Sequence, residues 1–175
     1  ISAIKGEYLE AIDDYKKAIS IDNNDARIYY NLGAAYNMLQ KYDMALEYFN
    51  KAIEIDPKNA NAYNGRGVSW SKKGDLVKSI FNFSNAIQFA PNSYFPYYNR
   101  GIDLAENGDY LAEIDDFSQT IVLNPVFYHA YNRRGNAFFE LKKTNDALAD
   151  YTKAIEINPN YYHAYRNIGR LYYEE

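Results

Sequence analysis

Apolar and small residues recur along this chain at helical rather than strand spacing. Between Ala26 and Asn59 they fall at Tyr29, Leu32, Gly33 and Tyr36, and then at Ala45, Phe49 and Ala52. Steps of three to four residues put each group on one face of a helix. The polar stretch Gln40 to Asp43 separates the groups and Pro57 follows the second, so the block predicts two helices joined by a turn. The same order returns down the chain. Pro57, Pro91, Pro125 and Pro159 lie 34 residues apart, as do Gly33, Gly67, Gly101, Gly135 and Gly169. A second glycine phase, Gly6, Gly74 and Gly108, has steps of 68 and 34 residues. Eight of nine glycines and four of five prolines therefore share one period, which makes the chain an internal repeat.

The period also predicts where each helix stops. Lys73-Gly74-Asp75 and Asn107-Gly108-Asp109 are turns in which glycine suits a left-handed helix end and the following Asp suits the next N-cap. Each repeat closes at Asp56-Pro57, Ala90-Pro91, Asn124-Pro125 or Asn158-Pro159, where proline ends one helix and turns the chain toward the next. A glycine inside the first helix costs about 1 kcal/mol relative to alanine, so its recurrence needs a reason. Close approach of the second helix supplies one. The small residues Ala45, Ala52, Ala86, Ala147 and Ala154 serve the same approach, and Phe49, Phe83, Phe117 and Tyr151 fill the remaining space.

These residues resemble the tetratricopeptide repeat family. Its W-x2-L-G-x2-Y…A-x3-F…P pattern stands here as Tyr29-x2-Leu32-Gly33-x2-Tyr36…Ala45-x3-Phe49…Pro57. The resemblance covers the whole chain and implies an all-α, right-handed superhelix of antiparallel helix pairs. A single domain over 1–175 is expected, with full repeats at 26–59, 60–93, 94–127 and 128–161. Residues 1–25 are expected to hold the tail of a first helix and a whole second helix, and 162–175 the first helix of a further repeat. Ser79 and Glu113 replace the usual alanine, and Thr120 another. The chain begins at Ile1 rather than Met and both ends fall within a repeat, so a longer parent protein is expected. The apolar stripes of the end helices (Ile12, Tyr15, Ile19 and Tyr165, Ile168, Tyr172) are expected to lie uncovered and to favour self-association.

Composition removes several functions. The net charge is −4, which argues against a general positive field for nucleic acid. With no cysteine there is no thiolate metal site, disulfide or cysteine nucleophile. No apolar run approaches the roughly 20 residues needed to span a bilayer, so no membrane insertion is expected and a cytoplasmic location is the expectation. No nucleophile motif or phosphate-binding glycine loop occurs. The pairs Asp13-Asp14 and Asp115-Asp116 lie on predicted helices, where neighbours point apart. Neither an enzymatic activity, a cofactor nor a metal is expected.

What remains is binding. By the resemblance, the first helix of each pair lines a concave face, and residues flanking its buried stripe are the candidates. One column is Asn31, Gly65, Asn99, Arg133, Asn167, and its neighbour is Tyr30, Asn64, Tyr98, Asn132, Arg166. A ladder of amides can hold an extended peptide backbone, because each amide both donates and accepts. Solvated asparagines are the plain alternative. A carboxylate clamp of the kind found in some co-chaperones would fall on Asn64, Val68, Asn99, His129 and Arg133, of which Asn99 and Arg133 match. Arg66, Arg100 and Arg134 form another column, and Asp116 and Asp150 follow the last two by sixteen residues, which predicts ion pairs within the repeat rather than a basic stripe. The column Tyr29, Tyr63, Tyr97, Tyr131, Tyr165 is assigned to the core. Phe95, Tyr98, Phe127, Tyr128, Phe139, Tyr161, Tyr162 and Tyr173 lie outside the core columns, all in the C-terminal half. His129 and His163 share a phase without a third ligand for a metal.

The expected function is therefore a protein–protein interaction scaffold or adaptor that holds a partner peptide or helix in its groove. The recognition arm of a larger enzyme is the alternative, and a carboxylate-clamp co-chaperone a third reading. The expected binding residues are Asn31, Asn64, Tyr98, Asn99, His129, Asn132, Arg133, Asn136, Phe139, Arg166, Asn167 and Arg170, with Arg133 at the centre.

Overall fold

The computed structural model describes the backbone of residues 2–174 and the side chains of 6–174. Ten α-helices and no strand occur among the described residues. They divide into two compact units, Ile1–Pro91 and Asn92–Glu175. The first unit holds α1 (Ser2–Ile21), α2 (Ala26–Met38), α3 (Tyr42–Ile55), α4 (Ala60–Lys72) and α5 (Leu76–Phe89). The second holds α6 (Tyr94–Glu106), α7 (Tyr110–Leu123), α8 (Tyr128–Glu140), α9 (Thr144–Ile157) and α10 (Tyr162–Glu174). In each unit consecutive helices pack side by side, and alternate helices also meet: α2 with α4, α6 with α8, and α8 with α10.

The helix stops have the expected chemistry. Gly74 and Gly108 take φ of +80° and +79°. The Gly74 N–H donates to the Ser71 carbonyl at 2.9 Å, and the Asp75 N–H to the Trp70 carbonyl at 3.0 Å. The Asp75 carboxylate then caps α5 by accepting from the Lys78 N–H at 3.0 Å, as Asp109 caps α7 through Ala112 at 3.2 Å. At the same phase Gln40 and Lys142 adopt φ of 58° and 56°, a left-handed conformation that costs a side-chain-bearing residue about 1–2 kcal/mol. Gly6 shares this phase yet makes no turn: α1 runs through it to Ile21. Among the described residues α1 is one continuous helix rather than the tail of a first helix and a second one, because continued helical bonding satisfies the backbone at the modest cost of an interior glycine.

The glycine column is where the helices of a pair touch. A Cβ on Gly33, Gly67, Gly101 or Gly135 would lie 2.6–2.8 Å from the ring of Phe49, Phe83, Phe117 or Tyr151 respectively. Those four rings are among the largest fully buried side chains, so they have nowhere to retreat. Gly65, outside the period, has its own reason: its Cβ would fall 2.4 Å from Phe49 Cζ. The Phe49 ring is thus seated between α2 and α4.

Two expectations about the ends are corrected. Ile12 is 3% exposed, and Tyr15 and Ile19 pack against the cluster of Tyr29, Leu32 and Phe49, so the stripe of α1 is covered, by α2. At the other end Ile168 packs inward, but Tyr165, assigned to the core, is 52% exposed and Tyr172 61%. Among the described residues α10 packs only on α8 and α9, which leaves its far face open.

The sixteen-residue spacing produces the ion pairs it predicts. Arg100 grips Asp116 through two bonds of 2.7 and 2.8 Å, and Arg134 grips Asp150 through two of 2.8 Å. Both aspartates are buried, and breaking such a pair by removing one partner costs about 3–5 kcal/mol. Arg66 meets Asn82 at 2.6 Å and Asn50 at 2.7 Å instead. With no carboxylate there, burial pulls its guanidinium below the usual arginine range.

Candidate functional site

In the second unit α6, α8 and α10 form one layer, and most of the expected binding residues stand on it. Their side chains separate into three groups. The first is committed to packing. Asn132 and Asn167 are both buried, and the Asn167 amide donates to Asn132 Oδ1 at 3.0 Å and to Asn136 Oδ1 at 2.9 Å. The Tyr151 hydroxyl, on α9, also donates to Asn136 Oδ1 at 3.0 Å. These amides tie α8, α9 and α10 together and satisfy one another. Arg170 is likewise engaged: it lies 4.3 Å over the Phe139 ring, bonds Glu174 at 2.8 Å and approaches Glu140 at 3.8 Å. It lines an open pocket of about 350 Å³ with Phe139, Glu140 and Leu171.

The second group is a ladder of rings at the N-terminal ends of α6, α8 and α10. Tyr94 stacks on Phe95 at 4.1 Å and meets Phe127 at 5.2 Å; Tyr98 meets Phe127 edge-on at 4.9 Å. Phe127 continues to His129, which meets Tyr161 at 5.1 Å, while Tyr128 meets Tyr161 at 4.7 Å. Tyr161 touches His163, which touches Tyr162. The pairs Tyr94–Phe127, Tyr98–Phe127 and Tyr128–Tyr161 have aromatic geometry worth about 0.5–1.5 kcal/mol each beyond their buried area. Phe95 and Tyr162 remain mostly exposed at its edges, and Tyr173, outside it, is almost wholly exposed. His129 Nδ1 lies 3.3 Å from the Tyr161 hydroxyl. Burial, helped by Arg133 and His163, holds the His129 imidazole below its ordinary 6.5.

The third group is cationic. Arg133 is exposed and, among the described residues, forms no ion pair. Arg166 is exposed too, 5.9 Å over the Tyr162 ring and 3.5 Å from Asn167 Oδ1, again with no carboxylate. Arg27, Arg100, Arg134 and Arg170 each hold an Asp or Glu. Arg133 and Arg166 both act on the Tyr161 phenol, whose proton burial nevertheless holds more firmly than usual. The two guanidiniums therefore stand beside the aromatic ladder.

In the sequence Glu113, on α7, stands out only as a departure from alanine. It is 3% exposed, and its Oε2 is the one buried side-chain polar atom without a partner among the described residues. Burial drives its carboxyl up to about 7; Arg133 opposes this and Glu140 reinforces it.

In the first unit Asn31 and Asn64 are half-buried on α2 and α4, as Tyr98 and Asn99 are on α6 of the second. The bonds that join α2 to α4 come from Asn37 and Ser69, which are not among the expected binding residues. The Asn37 amide donates to the Gly65 carbonyl at 3.1 Å, and the Ser69 hydroxyl donates to Asn37 Oδ1 at 2.8 Å. Neither a group of three metal-ligating side chains nor a helix long and apolar enough to cross a membrane occurs among the described residues.

The family model of the tetratricopeptide repeat matches residues 26–59 and 128–161, and one described as TPR repeat matches 3–40, together just over half of the chain. No curated protein sequence matches. Among solved structures, MamA is similar with a TM-score of 0.81 at 25% identity, over 90% of this chain and 92% of that one. YrrB, described as a TPR protein with an unusual peptide-binding site, gives 0.78 at 23% identity, over 96% and 86%. The first TPR of Spaghetti (RPAP3), solved bound to the HSP90 peptide SRMEEVD, gives 0.65 at 24% identity, over 68% and 94%.

Proposed function

Since the chain belongs to the tetratricopeptide repeat family and is an all-α helical-repeat solenoid, we propose that it is an interaction scaffold whose second unit holds an acidic peptide segment of a partner protein. The observation that carries this reading is the pair Arg133 and Arg166, exposed and without carboxylate partners, beside an aromatic ladder. Of the seven arginines four hold a carboxylate and Arg66 is bonded to two asparagine side chains, so Arg133 and Arg166 offer a place for an outside anion. The rings offer apolar area at low entropic cost, which suits a segment that alternates acidic and apolar side chains. Asn99, Tyr98 and His129 stand on the same layer as the two arginines. Asn132, Asn136 and Asn167 support it by holding the helices in place.

Fluorescence polarisation with a labelled peptide alternating Glu with Phe tests this, against a control with Gln for Glu. Losing a charge-assisted contact of about 1.5–3 kcal/mol weakens binding by roughly ten- to a hundredfold. Arg133→Ala has this effect and Arg27→Ala, in the first unit, does not. Unchanged affinity for Arg133→Ala, with a loss on altering Asn31 or Asn64, moves the site to the first unit. A second reading, self-association, is favoured by the exposure of Tyr165 and Tyr172 on α10. Light scattering over a dilution series checks it: a concentration-independent monomer mass refutes it.

A further inference from the structure

Within each unit, the position of Glu113 is a packing position. The same column holds Ala45, Ser79 and Ala147, all completely buried, where the second helix of a pair lies against its neighbours. A carboxyl group there loses its water, and one of its two oxygens gains no partner in exchange. Leaving such an oxygen unmatched is destabilising, and more so if it is charged. That is a large penalty at a position where alanine is sufficient elsewhere in the chain.

The charged groups around Glu113 show what it acts on. Within its unit α7 packs against α6 and α8. From α8, the groups that act on it are Arg133, which favours the carboxylate, and Glu140, which disfavours it. Beyond Arg133 on the same helix lies His129, itself held below its ordinary range. From α6, Arg100 is bound to Asp116, and Asp103 is buried and partnered. On α7 itself Asp109 caps the helix, and Asp116 belongs to the Arg100 pair. Arg133 is therefore the one cation acting on Glu113, and it is one of the two arginines without an ion pair on the binding layer.

We propose that Glu113 sets the charge available at Arg133, so that an acidic segment binds this site together with a proton. This rests on the reading of Arg133 as the anchor and adds the condition under which it binds. With its proton, Glu113 is neutral and Arg133 offers its full charge to the ligand. As a carboxylate, Glu113 competes with the ligand for the same guanidinium and repels it. An acidic ligand placed at Arg133 in turn favours the protonated form, because binding and protonation are reciprocal. Glu113 gives up its proton at about 7, so the exchange falls near neutrality. His129 titrates lower and contributes below that window.

The test uses the intact chain and the alternating Glu/Phe peptide, with affinity measured from pH 6.5 to 8.5. The wild type is expected to lose affinity across this range, about tenfold for each unit by which bound ligand raises the Glu113 titration. Glu113→Gln removes the slope and holds the higher affinity throughout. In the free protein, carbon NMR of the Glu113 carboxyl is expected to titrate near neutrality, and Arg133→Ala to move that midpoint upward. A flat wild-type profile, an unaltered slope in Glu113→Gln, or a midpoint that ignores Arg133→Ala overturns the linkage. Equal binding by the wild type and Arg133→Ala overturns instead the anchor reading on which it rests.

Discussion

Replacing Gly101 and Gly169 by alanine puts one identical change at two positions of one column, with opposite expected signs. At Gly101 the new Cβ would stand 2.8 Å from Phe117 Cε1 and 3.0 Å from Cζ. Phe117 is fully buried, so relief requires α6 and α7 to separate or the ring to leave its rotamer, at about 1–3 kcal/mol. Alanine returns about 1 kcal/mol of helix propensity at either site. The net is a loss of about 0–2 kcal/mol at Gly101. At Gly169 a Cβ meets nothing within 4 Å, and only the propensity gain remains, up to about 1 kcal/mol. The difference between the variants isolates the packing cost, about 1–3 kcal/mol, because propensity cancels. Thermal unfolding followed by circular dichroism reads it. At about 2–4 °C per kcal/mol for a chain of this size, the midpoints separate by about 2–12 °C, with Gly169→Ala higher. Coincident midpoints refute the role given to this column, and so does a lower midpoint for Gly169→Ala.

Glu113→Gln also carries a stability prediction independent of any ligand. The folded carboxyl holds its proton up to about 7, against 4.5 unperturbed, so folding is favoured below the lower value and penalised as pH rises toward the upper one. The shift is worth about 3 kcal/mol at its full extent, and the variant is expected to gain on the wild type by up to that amount between pH 4 and 8. Parallel denaturation profiles across this range refute it. Lys142→Gly is expected to raise stability by about 1 kcal/mol by relieving a side-chain-bearing residue of its left-handed φ, and Gly108→Ala to lower it by a similar amount. Urea midpoints for the two variants check the pair, and a loss in the first refutes the account of the turn.

The period, the glycine notches and the Arg–Asp pairs were legible because each depends on spacing along one repeat. Sixteen residues join Arg100 to Asp116 whatever lies outside that helix pair. Side chains that meet across different repeats were not legible. Asn132 and Asn167 stand among the expected binding residues, yet they meet across α8 and α10 at 3.0 Å, a contact set by helix placement. Reading α1 alone left its stripe open, because the complementary Tyr29 and Leu32 belong to α2. Glu113 gave one signal, its departure from alanine, but the missing partner at Oε2 is a property of surroundings. Gln40 and Lys142 occupy a glycine phase without being glycine, and only the backbone records the cost.

The seat of Phe49 constrains how such a chain can be rearranged. Its ring needs Gly33 within its own repeat, a notch that every full copy carries and that duplication would carry along. It also needs Gly65 in the copy that follows, at 2.4 Å from where a Cβ would stand. At the phase of Gly65 the other copies present Asn31, Asn99, Arg133 and Asn167. The segment 60–93 is therefore not interchangeable with its siblings: shuffling the copies would drive an amide or a guanidinium stem into the space that ring fills. An array that looks modular by its period is, at this joint, written in a definite order.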